Sequence, residues 1–125
     1  MDKRIAIKVA DLSLNAELND SPCAEAVFAA MPIRAVANTW GQEVYFDIGV
    51  KSALADDARD NMEVGDIGYW PTGKAFCIFF GRTPASTRDG KPRAASKVNP
   101  IGRIIGDAKV LAAVRDGQVI TLTAE

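Results

Sequence analysis

The sequence predicts an all-β fold: a small closed β-barrel of about eight short strands, with one short α-helix and one long loop. Three observations predict it. Apolar residues alternate with period two in short runs, turn-forming residues punctuate those runs at close intervals, and a single stretch shows helical spacing. The chain has 125 residues, too few for two independent cores, so residues 1–125 are expected to form a single domain.

Arg4, Ala6 and Lys8 alternate with Ile5, Ile7 and Val9 across residues 3–9, and Leu12, Leu14, Ala16 and Leu18 repeat the pattern across 12–18. Joined by Ala10 and Asp11, the two runs read as an opening hairpin. Ser21 then offers a side-chain oxygen as an N-cap, and Pro22 takes the first helical position, where its missing N–H costs nothing. Ala24, Val27, Phe28 and Met31 follow at helical spacing until Pro32 stops the run, which places a helix at 22–30.

Residues 33–38 and 43–50 are rich in β-formers and flank Thr39-Trp40-Gly41-Gln42, a second hairpin. Residues 56–63 are polar and turn-like, with room for one helical turn. Residues 65–70 and 75–80 flank Pro71-Thr72-Gly73-Lys74, whose Pro and Gly suit a type II turn, giving a third hairpin. Residues 81–99 carry Gly81, Pro84, Gly90, Pro92 and five basic side chains, and read as one long loop. Loops of that length inside compact domains are usually functional or mobile. Residues 101–105 make a strand, Asp107 caps a short helical turn through Leu111, and residues 118–123 close the chain with Val119, Ile120 and Leu122.

Composition narrows the chemistry. At 48% hydrophobic and 25% charged the chain is globular, and no apolar run approaches the ~20 residues that span a bilayer. The N-terminal segment MDKRIAIKVADLSL is charged and alternating, without the apolar stretch of a signal peptide, so a cytoplasmic location and no membrane partner are expected. There is no histidine, which removes Ser-His-Asp and Cys-His nucleophilic systems and every zinc site that needs imidazole. Cys23 and Cys77 match no metal or redox spacing, and in the cytoplasm two separately buried thiols are expected instead of a disulfide. Asp56, Asp57 and Asp60 resemble an acidic metal loop only loosely and read as a solvated face, so no metal site is expected. The glycines at 65, 68, 81, 102 and 106 do not form a dinucleotide fingerprint, and no cofactor is implied.

The formal net charge is -1, which argues against nucleic acid as a partner. Its distribution is uneven. Residues 1–66 hold 6 basic and 12 acidic side chains, residues 67–125 hold 9 and 4. Either folding interleaves these charges, or it leaves a dipolar surface able to attract an anionic ligand or to pair head to tail with another copy.

Eight of the nine aromatic residues lie between Trp40 and Phe80, the exception being Phe28. Strand parity sets Tyr45 against Phe46, Tyr69 against Trp70 and Phe79 against Phe80. One set fills the barrel. The other lies on an outer face, where it packs under the helix and the long loop or lines a ligand groove. A polar constellation accompanies it: Glu43, Tyr45, Tyr69, Thr83, Ser86, Ser96, Asn99 and Arg103, with Trp40, Phe79 and Arg82 completing the candidate ligand-binding set. Glu43 begins a strand beside Trp40 and reads as a salt-bridged strand end, a partner of Arg103, or a general base. Thr83, Ser86, Ser96 and Asn99 offer hydroxyl and amide groups at both ends of the long loop, for a ligand or for the loop's own turns.

The segments NTWGQEVYFDIGV, GDIGYWPTGKAFCIFFGRTPAS and SKVNPIGRIIGD give the chain a resemblance to the small prokaryotic cyclophilin-like proteins, over nearly its whole length. The resemblance implies a closed eight-stranded barrel of the cyclophilin type, in a family whose biological role is largely uncharacterised. One departure is Ala94-Ala95-Ser96, where the family usually has Pro-Ala-Ser before Val-Asn. True cyclophilins hold proline in an apolar pocket and assist X-Pro rotation with an arginine, commonly in a Phe-His-Arg setting with a glutamine nearby. This chain has no histidine to complete such a segment, and its glutamines are Gln42 and Gln118. Arg82, after Phe79-Phe80-Gly81, and Arg103 are the arginines a substitute site would use. The expectation is therefore a non-catalytic binding module for a small anionic molecule or an extended peptide. Its alternative is a peptidyl-prolyl isomerase with a rebuilt active site, ahead of a hydrolase relying on Glu43 and Arg103.

Overall fold

The computed structural model describes residues 3–125. Its elements are β1 (Lys3–Val9), β2 (Leu12–Leu18), α1 (Pro22–Ala29), β3 (Ile33–Val36), β4 (Asn38–Thr39), β5 (Glu43–Asp47), β6 (Arg59–Asn61), β7 (Asp66–Trp70), β8 (Ala75–Phe79), β9 (Arg93–Ile105), a 3-10 turn (Ala108–Ala113) and β10 (Val119–Ala124). The first hairpin forms as its alternation requires. β1 and β2 pair from Lys3↔Leu18 to Val9↔Leu12, Ala10 turns the chain at φ 51, and Ile5, Ile7, Val9, Leu14, Ala16 and Leu18 are all buried. Helix α1 starts where Ser21 Oγ accepts from the Ala24 amide at 3.2 Å, with Pro22 at the first position, and it buries Cys23, Ala24 and Val27.

Four local expectations are corrected. The 33–38 run is not one strand: β3 pairs with β10, and only β4 forms the hairpin with β5. The break falls at Ala37, whose amide donates to the Gln118 carbonyl and whose carbonyl accepts from the Gly117 amide. Residues 59–61 form a strand, β6, not a helical turn, because β9 supplies their backbone partners. In the turn between β7 and β8 the left-handed residue is Lys74, at φ 48, and not Gly73 as a type II turn requires. Gly73 serves packing instead, since a Cβ there would lie 2.8 Å from Cε3 of Trp70. Finally, residues 93–99 belong to the 13-residue strand β9, which shortens the long loop to residues 80–92.

The sheet runs β3-β10-β1-β2-β9-β7-β8-β5-β4, with β6 on the side of β9, so ten strands take the place of the expected eight. The fold is mainly β, but the expected closed barrel is not what the ladder shows: its ends, β3 and β4, are joined through the chain at Ala37, and no hydrogen-bonded pairing between them is found among the described residues. The wound sheet encloses a core containing Ile5, Ile7, Phe46, Ile67, Tyr69, Phe76, Ile101, Leu111 and Ile120, in which the Phe46 and Phe76 rings stack at 5.2 Å. A second, smaller cluster forms on the opposite face, from Met62, Ala75, Cys77, Phe79, Ala94 and Val98. Strand β8 is therefore buried on both faces, with Phe76 and Ile78 inward and Ala75, Cys77 and Phe79 outward. Cys23 and Cys77 are free, buried thiols, one in each cluster. No helix among the described residues is long and apolar enough to cross a membrane.

Candidate functional site

The outward faces of β5, β8 and β7, roofed by the first half of β9, make a pocket of about 240 Å³. It is lined by Trp40, Glu43, Tyr45, Trp70, Cys77, Ala94, Ala95, Ser96 and Val98. Its floor follows from register. Glu43 pairs with Phe79, Tyr45 with Cys77, and Trp70 with Ala75, so period-two alternation sends Glu43, Tyr45, Cys77 and Trp70 to the same side. Trp40 is placed by the turn before β5, where its amide and carbonyl bond the Glu43 carbonyl and amide at 2.9 and 3.2 Å. The turn is anchored in turn by Gln42, whose Oε1 accepts from the Arg82 amide at 2.9 Å. On the roof side, Trp70 Nε1 donates to Ser96 Oγ at 2.8 Å, which fixes the indole against β9.

Glu43 is the one ionisable acid in this lining, and it is 6% exposed. Burial raises its carboxyl from 4.5 to about 7, while the Cys77 thiol donating toward it pulls the value back in part. Burial also pushes the Cys77 thiol well above its usual value, helped by the neighbouring Glu43 charge. Such a thiol is not a nucleophile.

Of the eleven residues selected from sequence, four line this pocket: Trp40, Glu43, Tyr45 and Ser96. Phe79 lies beneath it, fully buried in the smaller cluster. The others are elsewhere. Tyr69 points into the main core, where its hydroxyl donates to the Val50 carbonyl. Asn99, 1% exposed, accepts from the Ala55 amide at 2.7 Å and donates to the Ala53 carbonyl at 2.9 Å, fastening the 51–58 segment. Thr83 and Ser86 brace their own loop through the Arg93 and Lys91 carbonyls, and Arg82 donates to the Thr87 carbonyl at 3.1 Å. Arg103 is not a partner of Glu43. Its Nη1 lies 2.5 Å from Asp66 Oδ1 because the β7–β9 register sets Asp66 opposite Arg103. Asp66 also takes Arg59 at 3.6 Å and the Glu63 amide at 2.8 Å.

Sequence reasoning missed Trp70, Cys77, Ala94, Ala95 and Val98 as lining residues. Parity carried a usable signal for the first two, since Tyr69 and Trp70 had to face opposite ways. The β9 residues were hidden by reading their segment as loop. Among the described residues no group of three or more His, Cys, Asp or Glu is placed to hold a metal ion.

The profile of the family described as Cyclophilin-like matches residues 3–123. The chain belongs to the cyclophilin-like family. A solved relative is the solution structure of the hypothetical protein AF2241 from Archaeoglobus fulgidus, 36% identical, with a TM-score of 0.81, covering 99% of this chain and 95% of that one. No curated protein matches. In this cyclophilin-like chain, then, family membership supports the fold and leaves the activity to be argued from the pocket.

Proposed function

We propose that the protein is a non-catalytic binding module whose outer-face pocket takes the apolar part of a small organic molecule or of an extended peptide. The supporting observation is the lining itself: two indoles and a phenol ring around about 240 Å³, on a small domain with its own complete core. An anionic ligand, expected from the basic loop, fits this lining poorly. No basic side chain is among the lining residues, and the one ionisable acid would repel an anion. The isomerase alternative loses its arginine for the same reason, because Arg82 and Arg103 are engaged by the Thr87 carbonyl and by Asp66. X-Pro isomerisation is expected at the background rate in a protease-coupled assay.

Trp40 and Trp70 are the only tryptophans in the chain and both line the pocket, so intrinsic fluorescence reads occupancy directly. Titration with small aromatic fragments is expected to shift that emission. Ala95→Trp, at an exposed lining position, fills the pocket and is expected to abolish binding detected by ligand-observed NMR. Fragment binding that persists in Ala95→Trp, or no binding by any fragment, would reject this reading.

A further inference from the structure

Glu43 is a carboxylate with nothing to neutralise it. Among the described residues no Lys or Arg forms an ion pair with it, whereas the other buried acid, Asp66, has two arginines. The groups around it are Cys77 on β8, Tyr45 on its own strand, Trp40 before it, Trp70 on β7, and Ala94, Ala95, Ser96 and Val98 on β9. Of these only Cys77 and Tyr45 titrate, and neither brings positive charge. The pocket therefore combines one uncompensated negative group with three aromatic rings, whose faces carry negative potential of their own. Both features favour the same ligand charge. Trp70 is already committed to Ser96 through its N–H, so its ring contributes a π surface and not a free donor.

Building on the binding reading above, we infer that the ligand of this pocket is an organic cation, an ammonium-bearing molecule with an apolar body, with Glu43 as its counter-ion and Trp40, Tyr45 and Trp70 as its walls. A buried acid lacking a partner is costly when empty, and a cation supplies the missing partner at the moment of binding. Binding is then coupled to loss of the Glu43 proton. Because that carboxyl is half protonated at about pH 7, affinity for a permanent cation rises with pH up to that point and levels off above it.

The test uses three probes of similar shape, benzyltrimethylammonium, benzyl alcohol and benzoate, titrated against tryptophan emission at pH 5.5 and pH 8. At pH 8 the cation is expected to bind about tenfold or more tightly than the alcohol. Its affinity is expected to fall by up to about tenfold per pH unit below the Glu43 transition, while the alcohol's stays level. In Glu43→Gln, with its fold verified by near-ultraviolet circular dichroism, the cation is expected to lose its advantage and its pH dependence while the alcohol still binds. If the alcohol or benzoate binds as tightly as the cation at pH 8, or if Glu43→Gln leaves cation affinity unchanged, the cation inference is overturned and the pocket reading survives. If no probe binds, both fall together.

Discussion

Glu43 couples one residue's solvation to the stability of the whole chain. Its folded-state carboxyl sits at about 7, above the 4.5 of the unfolded chain, so between those two values the folded protein holds a proton that the unfolded chain has released. Stability therefore falls as pH rises through this window, and the cost is complete above it. A displacement of this size corresponds to about 3 kcal/mol. Glu43→Gln is expected to be more stable than the parent by up to that amount at pH 8, with the difference closing toward pH 4.5. Paired chemical denaturation curves at the two pH values check it, and a constant offset would count against burial as the cause. The residue's importance was legible in the sequence because a carboxylate next to Trp40 at the start of an apolar strand is unusual. Its lack of an ion-pair partner was not. Pairing with Arg103 seemed natural, yet strand register decides which charges meet, and the register that gives Arg103 to Asp66 is set by long-range ladders invisible to local pattern.

At the scale of elements, the hairpins and the helix were readable and β9 was half hidden. Period-two alternation locates β1 and β2, each with one face against the core, whereas β7 and β8, buried along nearly their whole length, are located by the turn at 71–74 between them. In β9 the first five residues, 93–97, include no β-branched residue and follow Pro92, and the strand later contains Pro100, which cannot donate to a ladder. The structure accommodates Pro100 at a register shift, opposite Gly68, where a Cβ would come within 2.6 Å of Val98 Cγ2. The 33–38 run misled in the opposite direction, being continuous in pattern but shared between two partners at Ala37. Close approach also explains Gly102, where β9 crosses β2: a Cβ there would stand 2.4 Å from the Glu17 carbonyl oxygen and 3.0 Å from the Leu18 Cα. Backbone cannot yield as a flexible side chain does. Gly102→Ala is expected to destabilise by about 2–3 kcal/mol through overpacking. Gly90→Ala, at φ 73 with nothing within 4 Å, is expected to cost only about 1 kcal/mol, the strain of holding a Cβ-bearing residue in the left-handed region. Urea denaturation of the two variants separates the causes; equal losses would mean that crowding at the β2–β9 crossing is relieved by movement of the strands.

Across the whole molecule, the acidic first half and basic second half meet inside one fold. Lys91 reaches Glu63 at 3.3 Å, Arg93 reaches Asp60 at 3.1 Å, and Arg103 reaches Asp66 at 2.5 Å, so three residues of the basic half lie on the acidic 60–66 segment. The charge asymmetry seen in the sequence is thus partly an intramolecular arrangement, which composition alone could not distinguish from a surface awaiting an anion. Whether these charges hold the 80–92 loop in place is a question of magnitude. The Lys91–Glu63 pair is about 60% exposed on both sides, and such pairs contribute about 0–1 kcal/mol that salt screens further. Against this stands Thr83, only 4% exposed, whose hydroxyl donates to the Arg93 carbonyl at 2.5 Å, while its amide donates to Ser86 Oγ at 2.9 Å. Removing that hydroxyl leaves a carbonyl without its partner, a loss of about 1–3 kcal/mol, so the hydrogen bonds outweigh the ion pairs. Thr83→Val is therefore expected to speed tryptic cleavage after Arg88 several-fold at any ionic strength, because the loop opens locally without global unfolding. The parent protein is expected to show nearly the same cleavage rate at low and high salt, with or without added phosphate. Strong protection by phosphate at low salt, lost as ionic strength rises, would instead mean that the loop is ordered by an external anion and that the charges, not the hydroxyls, govern it.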